Sequence, residues 1–535
     1  MGFRCGLLTI LRYYLSLTQE SLMENLPQIT HPDFGAANYA VLVLYLLAML
    51  GIGFYCSRKI KSAKGFFIAE GKLNHIAVGL SLLGTYLSAL TMMALSGLAF
   101  GDLDMTWTVQ LPVLILTAFV ITRFVLPKYR EAGVISVYEY LEQKIHVSSR
   151  IMAAVCFCLF SVARMGIVLY LPALAFHIIT GFPLVTTIVI MGVVITVYTV
   201  IGGIEAVVWT DAIQVILFSI AAVFTIFFIM TGMGDANFGE IAKEHDKFRT
   251  FDWNMDVLKL GTIWLVLQTM FETIRIYGSQ QDMTQRYLTT ESTAKANISV
   301  WISALGYIPL GYAFYFIGAS LFVFYQANPD PNVPVLLESG RKDAIYPYFI
   351  ATQLPAGLAG AIIAAICAAA MSSIDSLLNS TSTVIVEDFY KRLSKDEKTD
   401  QQCLKLARTL TVILGVFTIF AALSFTKEKA GMQVVFNTVM GVLTNGVLGL
   451  MVLAFLPIRV NKWAAIIGFA ASYVCLSFLM GKPTAIWGAD AAKVSFLLRP
   501  VICNPVCVIV ALAVNCAFPK GETAVETTEA GEDAG

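Results

Sequence analysis

Long apolar stretches alternate along the chain with short polar breaks, and each is about the twenty residues a helix needs to cross a bilayer. A window of about 19 residues marks them near 37–56, 75–100, 106–127, 150–179, 183–204, 206–231 and 257–285. Six more follow near 297–325, 355–386, 406–425, 433–457, 462–480 and 494–517. The pattern predicts an all-α polytopic membrane protein with about thirteen spans in a single transmembrane domain over residues 36–518. Residues 1–35 are then an N-terminal extension on the outer side, with Met23 as an alternative first residue. Residues 519–535, acidic and rich in small side chains, read as a disordered cytoplasmic tail.

Composition agrees with this and narrows the class. The chain is 57% hydrophobic and only 13% charged, against about 25% charged in soluble domains, which excludes a soluble enzyme. Lys+Arg 36 balance Asp+Glu 36, so there is no basic footprint for nucleic acid, and no obligate protein partner is evident. The ten cysteines sit mostly inside apolar stretches and read as small hydrophobes. Cys503 and Cys507, one turn apart, are packing residues on the same reasoning.

Lys and Arg crowd alternate loops: Arg58, Lys59, Lys61 and Lys64, then Lys128, Arg130 and Lys144, then Lys391, Arg392, Lys395 and Lys398. The positive-inside rule places these loops in the cytoplasm, with the N-terminus outside and the C-terminus inside. Only Arg164, Arg275 and Arg499 are read as basic residues within spans.

A polar or charged side chain inside a membrane is a functional candidate, because inserting it costs about 2.5–3.5 kcal/mol. The second span carries Gly84-Thr85-Tyr86-Leu87-Ser88 and Thr91 at its middle, where a broken helix would expose carbonyls to a cation; close packing through small residues is the plainer alternative. The ninth carries Ser372, Ser376 and Ser380 on one face, flanked by Ser373 and Asp375. Such an oxygen-only set suits a hard monovalent cation. Asp211 lies a turn or two inside the sixth span, as either a first-turn acid or a cation ligand. Arg164 follows Arg150 by 14 residues, about 21 Å of helix, which places it near the midplane. Its guanidinium suits a carboxylate, in a ligand or in a structural pair with Glu272 or Asp375. Glu272 and Arg275 are spaced to pair with each other, and Gln280-Gln281-Asp282 just beyond them looks like a second break. The interrupted second and seventh spans are five apart, as expected of two inverted repeats facing one another, at about 75–231 and 257–457.

The run Tyr198-Thr-Val-Ile-Gly-Gly-Ile-Glu-Ala-Val-Val-Trp-Thr-Asp211-Ala-Ile-Gln214 and the Ser372-Ser373 helix resemble the sodium:solute symporter family. The resemblance implies a LeuT-type fold of two five-helix inverted repeats and coupling to sodium, Na+ being carried inward with a small organic solute. It implies a main sodium site at the backbone of Gly84, Leu87 and Ala369 and the hydroxyls of Ser372 and Ser373. Because the Gly84 ligand is a carbonyl, its side chain is indifferent on this reading. A second sodium site, present in some members, would take Asp211, Ser372, Ser373, Ser376 and here Asp375 in place of a serine.

Thr85, Ser88, Thr91, Gln110 and the run from Arg164 are similar to the bacterial sialic acid branch, in which the arginine holds the sugar acid's carboxylate. Gln280 and Gln281 join this expected substrate set at the second break. The expected function is sodium-driven import of sialic acid (N-acetylneuraminate) across the cell membrane. A neutral sugar or a monocarboxylate is the alternative cargo. An intramembrane hydrolase using Asp211, Asp375 or Ser372 is remote, since no histidine is placed to serve the serine. A solute sensor would need a larger cytoplasmic domain.

Overall fold

A computed structural model describes residues 34–57, 62–101, 104–234, 236–256, 261–394, 396–428, 431–480 and 495–517. Almost all of the expected N-terminal extension and the whole expected tail lie outside these ranges. The described residues are helical almost throughout, with one isolated parallel bridge, Leu73 to Thr290. Helix is what lipid imposes, because each backbone N–H and C=O must then be satisfied within its own segment.

The principal helices are α1 Gly35–Ser57, α2 His75–Tyr86 with α3 Leu90–Phe100, and α4 Thr106–Ala132. After the short α5 Val137–Lys144 come α6 Val147–Thr180 and α7 Leu184–Thr231. Then follow α8 Thr262–Ser279, α9 Gln281–Leu288, α10 Thr293–Ala327, α11 Leu358–Lys391 and α12 Asp400–Lys427. The last are α13 Met432–Leu443 with α14 Val447–Phe455, α15 Lys462–Leu479 and α16 Arg499–Ala517.

Among the described residues 9 helices are long and apolar enough to cross a membrane, or 11 if the bent pairs α2/α3 and α13/α14 each count as one. Two of the thirteen expected spans fall outside that tally, and the helices at their positions are irregular. α7 has 48 residues, about 72 Å of helix against a hydrocarbon core of about 30 Å. It breaks at Gly203, whose φ of 55° and ψ of −167° suit a residue without Cβ, giving the expected fifth and sixth spans. The seventh is α8 with α9, interrupted at Gln280 (φ −92°, ψ 130°).

α11 is the centre of the bundle, 94% of its apolar window being buried, while α1 at 28% and α16 at 22% face lipid. The two interrupted spans meet, Tyr86 and Tyr277 lying with ring centroids 5.5 Å apart. This is the midplane juxtaposition the repeat spacing predicts.

One end of the bundle is closed by charge. Arg150 on α6 donates to Asp388 at 2.6 Å, to Glu142 at 2.8 Å and to the Glu387 carbonyl at 3.0 Å. Ser136 donates to the other Asp388 oxygen at 2.5 Å, and Arg392 reaches Glu142 at 2.6 Å. Burial works to raise Glu142, but the guanidiniums of Arg392 and Arg150 prevail and hold its carboxyl below its ordinary value. The cluster fastens α5 to the end of α11 on the side the positive-inside rule assigns to the cytoplasm.

Candidate functional site

The break between α2 and α3 bends the span by 53°. Leu87 leaves the helical region at φ −72°, ψ 133°. The Ser88 amide turns to the Thr91 hydroxyl at 3.4 Å, and the Ser88 hydroxyl accepts from Leu90 N at 3.2 Å. Side-chain hydroxyls thus cap the second half-helix and free the carbonyls of the first. Those carbonyls face α11: Ser372 Oγ donates to Gly84 O at 3.0 Å and Ala369 O at 3.3 Å, and Ser373 Oγ donates to Leu87 O at 3.4 Å and Ala369 O at 3.4 Å. Three carbonyls and two hydroxyls converge where the helix is broken, and both serines are fully buried. Neutral oxygens alone, in a dry and compact set, fit a desolvated monovalent cation.

Gly84 also sits at a close contact between helices, the plainer reading of the small residues in this span. A Cβ there would stand 3.2 Å from Val215 Cγ2 and 3.4 Å from Asp211 Cβ. Glycine lets α2 lie close against α7 and so helps fix where the carbonyl points.

Beside this set is a second one, organised differently from expectation. Asp211 is fully buried, and its Oδ2 accepts from Ser81 at 2.6 Å and from Arg286 at 3.0 Å. Arg286 also donates to Ser376 Oγ, to Ser81 at 2.8 Å and to the Asp282 carbonyl at 2.5 Å. Asp375 accepts from Tyr198 at 2.5 Å and from Ser376 at 3.3 Å, and Asp211 Oδ1 has no hydrogen-bond partner among the described residues. The expected residues Asp211, Ser376 and Asp375 do gather, but around a guanidinium from the protein itself. The sequence reading missed Arg286, counting it with the loop cations, whereas it is 1% exposed. The available signal was its i, i+4 spacing from Asp282 on α9, a helix with four strongly polar residues in its eight: Gln281, Asp282, Gln285 and Arg286.

A cavity of about 120 Å³ adjoins the break. It is lined by five of the expected substrate residues, Ser88, Thr91, Gln110, Arg164 and Gln280, with aromatic walls from Tyr86, Trp107, Tyr307 and Phe436. Gln110 is held by Tyr315 at 2.8 Å and Thr269 at 3.3 Å. Gln280 is 2% exposed, and neither its Oε1 nor its Nε2 has a partner among the described residues. A buried amide left unsatisfied costs roughly 1–3 kcal/mol, a cost that a hydrogen-bonding group placed against Gln280 would relieve.

Arg164 donates to Asp282 at 3.2 Å and to the Thr85 carbonyl at 3.1 Å. Its partner is neither Glu272 nor Asp375, the two the sequence suggested. Glu272, also on the cavity wall, pairs with Arg275 at 2.7 Å as its spacing predicts. The charges around the cavity therefore balance without a ligand.

Two expected substrate residues do not reach the cavity. Thr85 donates to Ser81 O at 2.9 Å and meets Ser376 Oγ at 3.3 Å, so its side chain faces the Arg286 cluster. Gln281 accepts from Val137 N at 2.9 Å and donates to Ile135 O at 2.9 Å. Both ends of its amide fasten the start of α5, because α9 turns it away from the break that Gln280 occupies.

The profile of the sodium:solute symporter family matches residues 66–471. The chain is 35% identical over 452 residues to the sodium/sialic acid symporter SiaT of Proteus mirabilis, covering 83% of this chain and 89% of that one. It is 31% identical over 485 residues to the sodium/sialic acid symporter NanT of Aliivibrio fischeri, covering 89% and 92%. Among solved structures it is similar to a substrate-bound, outward-open Na+-coupled sialic acid symporter, with a TM-score of 0.81 at 33% identity over 91% of this chain and 99% of that one. Mhp1, a nucleobase-cation-symport-1 transporter, shares the fold at a TM-score of 0.55 and 15% identity, over 85% and 95% of the two chains. With a LeuT-type bundle, an oxygen set converging between the broken α2/α3 span and α11, and a family profile matching residues 66–471, the chain belongs to the sodium:solute symporter family.

Proposed function

We propose that the protein imports sialic acid, or a closely related acidic sugar, together with sodium by alternating access. The observation that carries the reading is Arg164, a guanidinium on the wall of a cavity whose other polar groups are neutral hydroxyls and amides together with Glu272, a carboxylate already paired with Arg275. That combination recognises a carboxylate attached to a body rich in hydroxyls and amides. Relatives named as sodium/sialic acid symporters support the same cargo.

Sodium binds to Gly84, Leu87 and Ala369 through their carbonyls and to Ser372 and Ser373 through their hydroxyls. The ion braces the break that also forms the cavity floor, so each ligand raises the other's affinity by the same factor. A monoanionic substrate joining balanced pairs is neutralised by one sodium ion. Asp211, Ser372, Ser373, Asp375 and Ser376 form a second cation position, where Arg286 supplies one positive charge against two carboxylates and leaves room for one more.

Trp107, Gln268, Gln433 and Leu497 line the cavity toward the end of the bundle away from the Arg150 cluster, the side from which an outward-facing state would take up its cargo. In proteoliposomes, uptake of labelled sialic acid is expected to be suppressed by excess unlabelled sialic acid and left unchanged by glucose, proline or lactate. Suppression by glucose or lactate in its place would assign the site to a neutral sugar or a monocarboxylate.

A further inference from the structure

A larger cavity, about 440 Å³, opens on the flank of the bundle away from the substrate site. Leu46 of α1, Phe176 of α6 and Val194 of α7 wall it, Tyr39 stands at its rim, and Cys367 and Met371 of α11 form its floor. All four helices are long and apolar enough to cross the membrane, so the groove faces the hydrocarbon of the bilayer. Water gains nothing there, since a buried water needs two to four polar partners. Leaving the groove empty would forfeit dispersion contacts along its whole lining. Acyl chains are the material in contact with this face of the protein.

Depth specifies the occupant. Cys367 and Met371 lie 9 and 13 residues past the start of α11 at Leu358, about 14 and 20 Å along its axis. Ile195, another lining residue, is 11 residues past the start of α7 at Leu184, about 16 Å. One leaflet's share of the hydrocarbon core is about 15 Å. The groove thus runs from the membrane surface to the midplane, which is the reach of one acyl chain.

We infer that this groove binds one phospholipid acyl chain from the leaflet in which α1 begins, its tip resting on Cys367 and Met371. The site lies at the back of the helix that carries Ser372. Met371 is itself held from the protein side, its sulfur accepting from Tyr45 at 3.7 Å and its carbonyl from Tyr198 at 3.4 Å. Occupation of the groove follows from the membrane placement of these helices, whatever the cargo.

Photolabelling tests it. The purified protein is placed in nanodiscs containing a phospholipid with a diazirine midway along one acyl chain, irradiated, and mapped by peptide mass spectrometry. Lipid surrounding the bundle reaches Val223 and Phe227, which are 67% and 56% exposed, but not Cys367 and Met371, at 3% and 2%. The expected result is adducts on both pairs. Val194→Trp, which fills the groove from a half-exposed position, should reduce labelling of Cys367 and Met371 at least tenfold while labelling of Val223 and Phe227 persists. Adducts on Val223 and Phe227 with none on Cys367 or Met371 in the unaltered protein overturn the inference. So does labelling of the floor that Val194→Trp leaves unchanged.

Discussion

Replacing Ser372 by alanine is expected to raise the sodium concentration for half-maximal uptake about 10- to 150-fold. A hydrogen-bonding contact to a charge is worth roughly 1.5–3 kcal/mol, which is that ratio of binding constants. The substitution removes one hydroxyl from a set otherwise made of backbone carbonyls and Ser373. No carbonyl can rotate to replace it, because those of Gly84 and Leu87 are fixed by the broken helix. Ser372→Thr keeps a hydroxyl and should retain much of the affinity. Sodium titration of initial uptake rates in proteoliposomes reads both variants, and an alanine variant with unchanged sodium dependence would remove Ser372 from the site. Reciprocity adds a second reading: in the alanine variant, raising sodium should enhance substrate affinity less than in the parent.

Arg164→Ala is expected to abolish measurable uptake of acidic substrate. Truncating one member of a buried, hydrogen-bonded charge pair costs about 2–5 kcal/mol, a loss of roughly 30- to 5000-fold. Part of that loss has nothing to do with substrate, because Asp282 is fully buried and would be left uncompensated. The double variant Arg164→Ala with Asp282→Asn separates the two effects. It restores charge balance without restoring a carboxylate receptor, so it should insert and bind sodium yet still fail to take up sialic acid. Recovered uptake in the double variant would make Arg164 a structural counter-ion and nothing more. Arg164→Lys should also fail, since a single ammonium cannot serve the Thr85 carbonyl, Asp282 and a carboxylate at once from the fork geometry of a guanidinium.

The architecture was legible in the sequence because lipid imposes a coarse rule: each of the apolar stretches has a helix, with the break in α7 marked by Gly202-Gly203 and that in α2/α3 by a run of hydroxyls. Ser88, Thr91, Arg164 and Gln280 stood out as polar residues in apolar stretches, while Gln110 and the grouping of these residues as one set came from the family resemblance. What escaped was which way particular side chains point and which distant residues meet. Thr85 and Gln280 sit beside equivalent breaks, yet the local helix turns one toward Ser376 and the other into the cavity. Arg286 was hidden by its surroundings, since it follows a polar stretch and precedes a loop, as a surface cation would. Its burial depends on Asp211, 75 positions away in the chain, and a one-dimensional pattern carries no information on such a pairing. Arg164 and Asp282, 118 positions apart, escaped for the same reason.

The most direct measurement is uptake of labelled sialic acid by proteoliposomes under an imposed inward sodium gradient, compared with the same vesicles under equal sodium on both sides. Coupling through the Ser372 and Ser373 set predicts transient accumulation above the external concentration with the gradient, and simple equilibration without it. Identical uptake in the two conditions would contradict sodium-driven symport of this substrate.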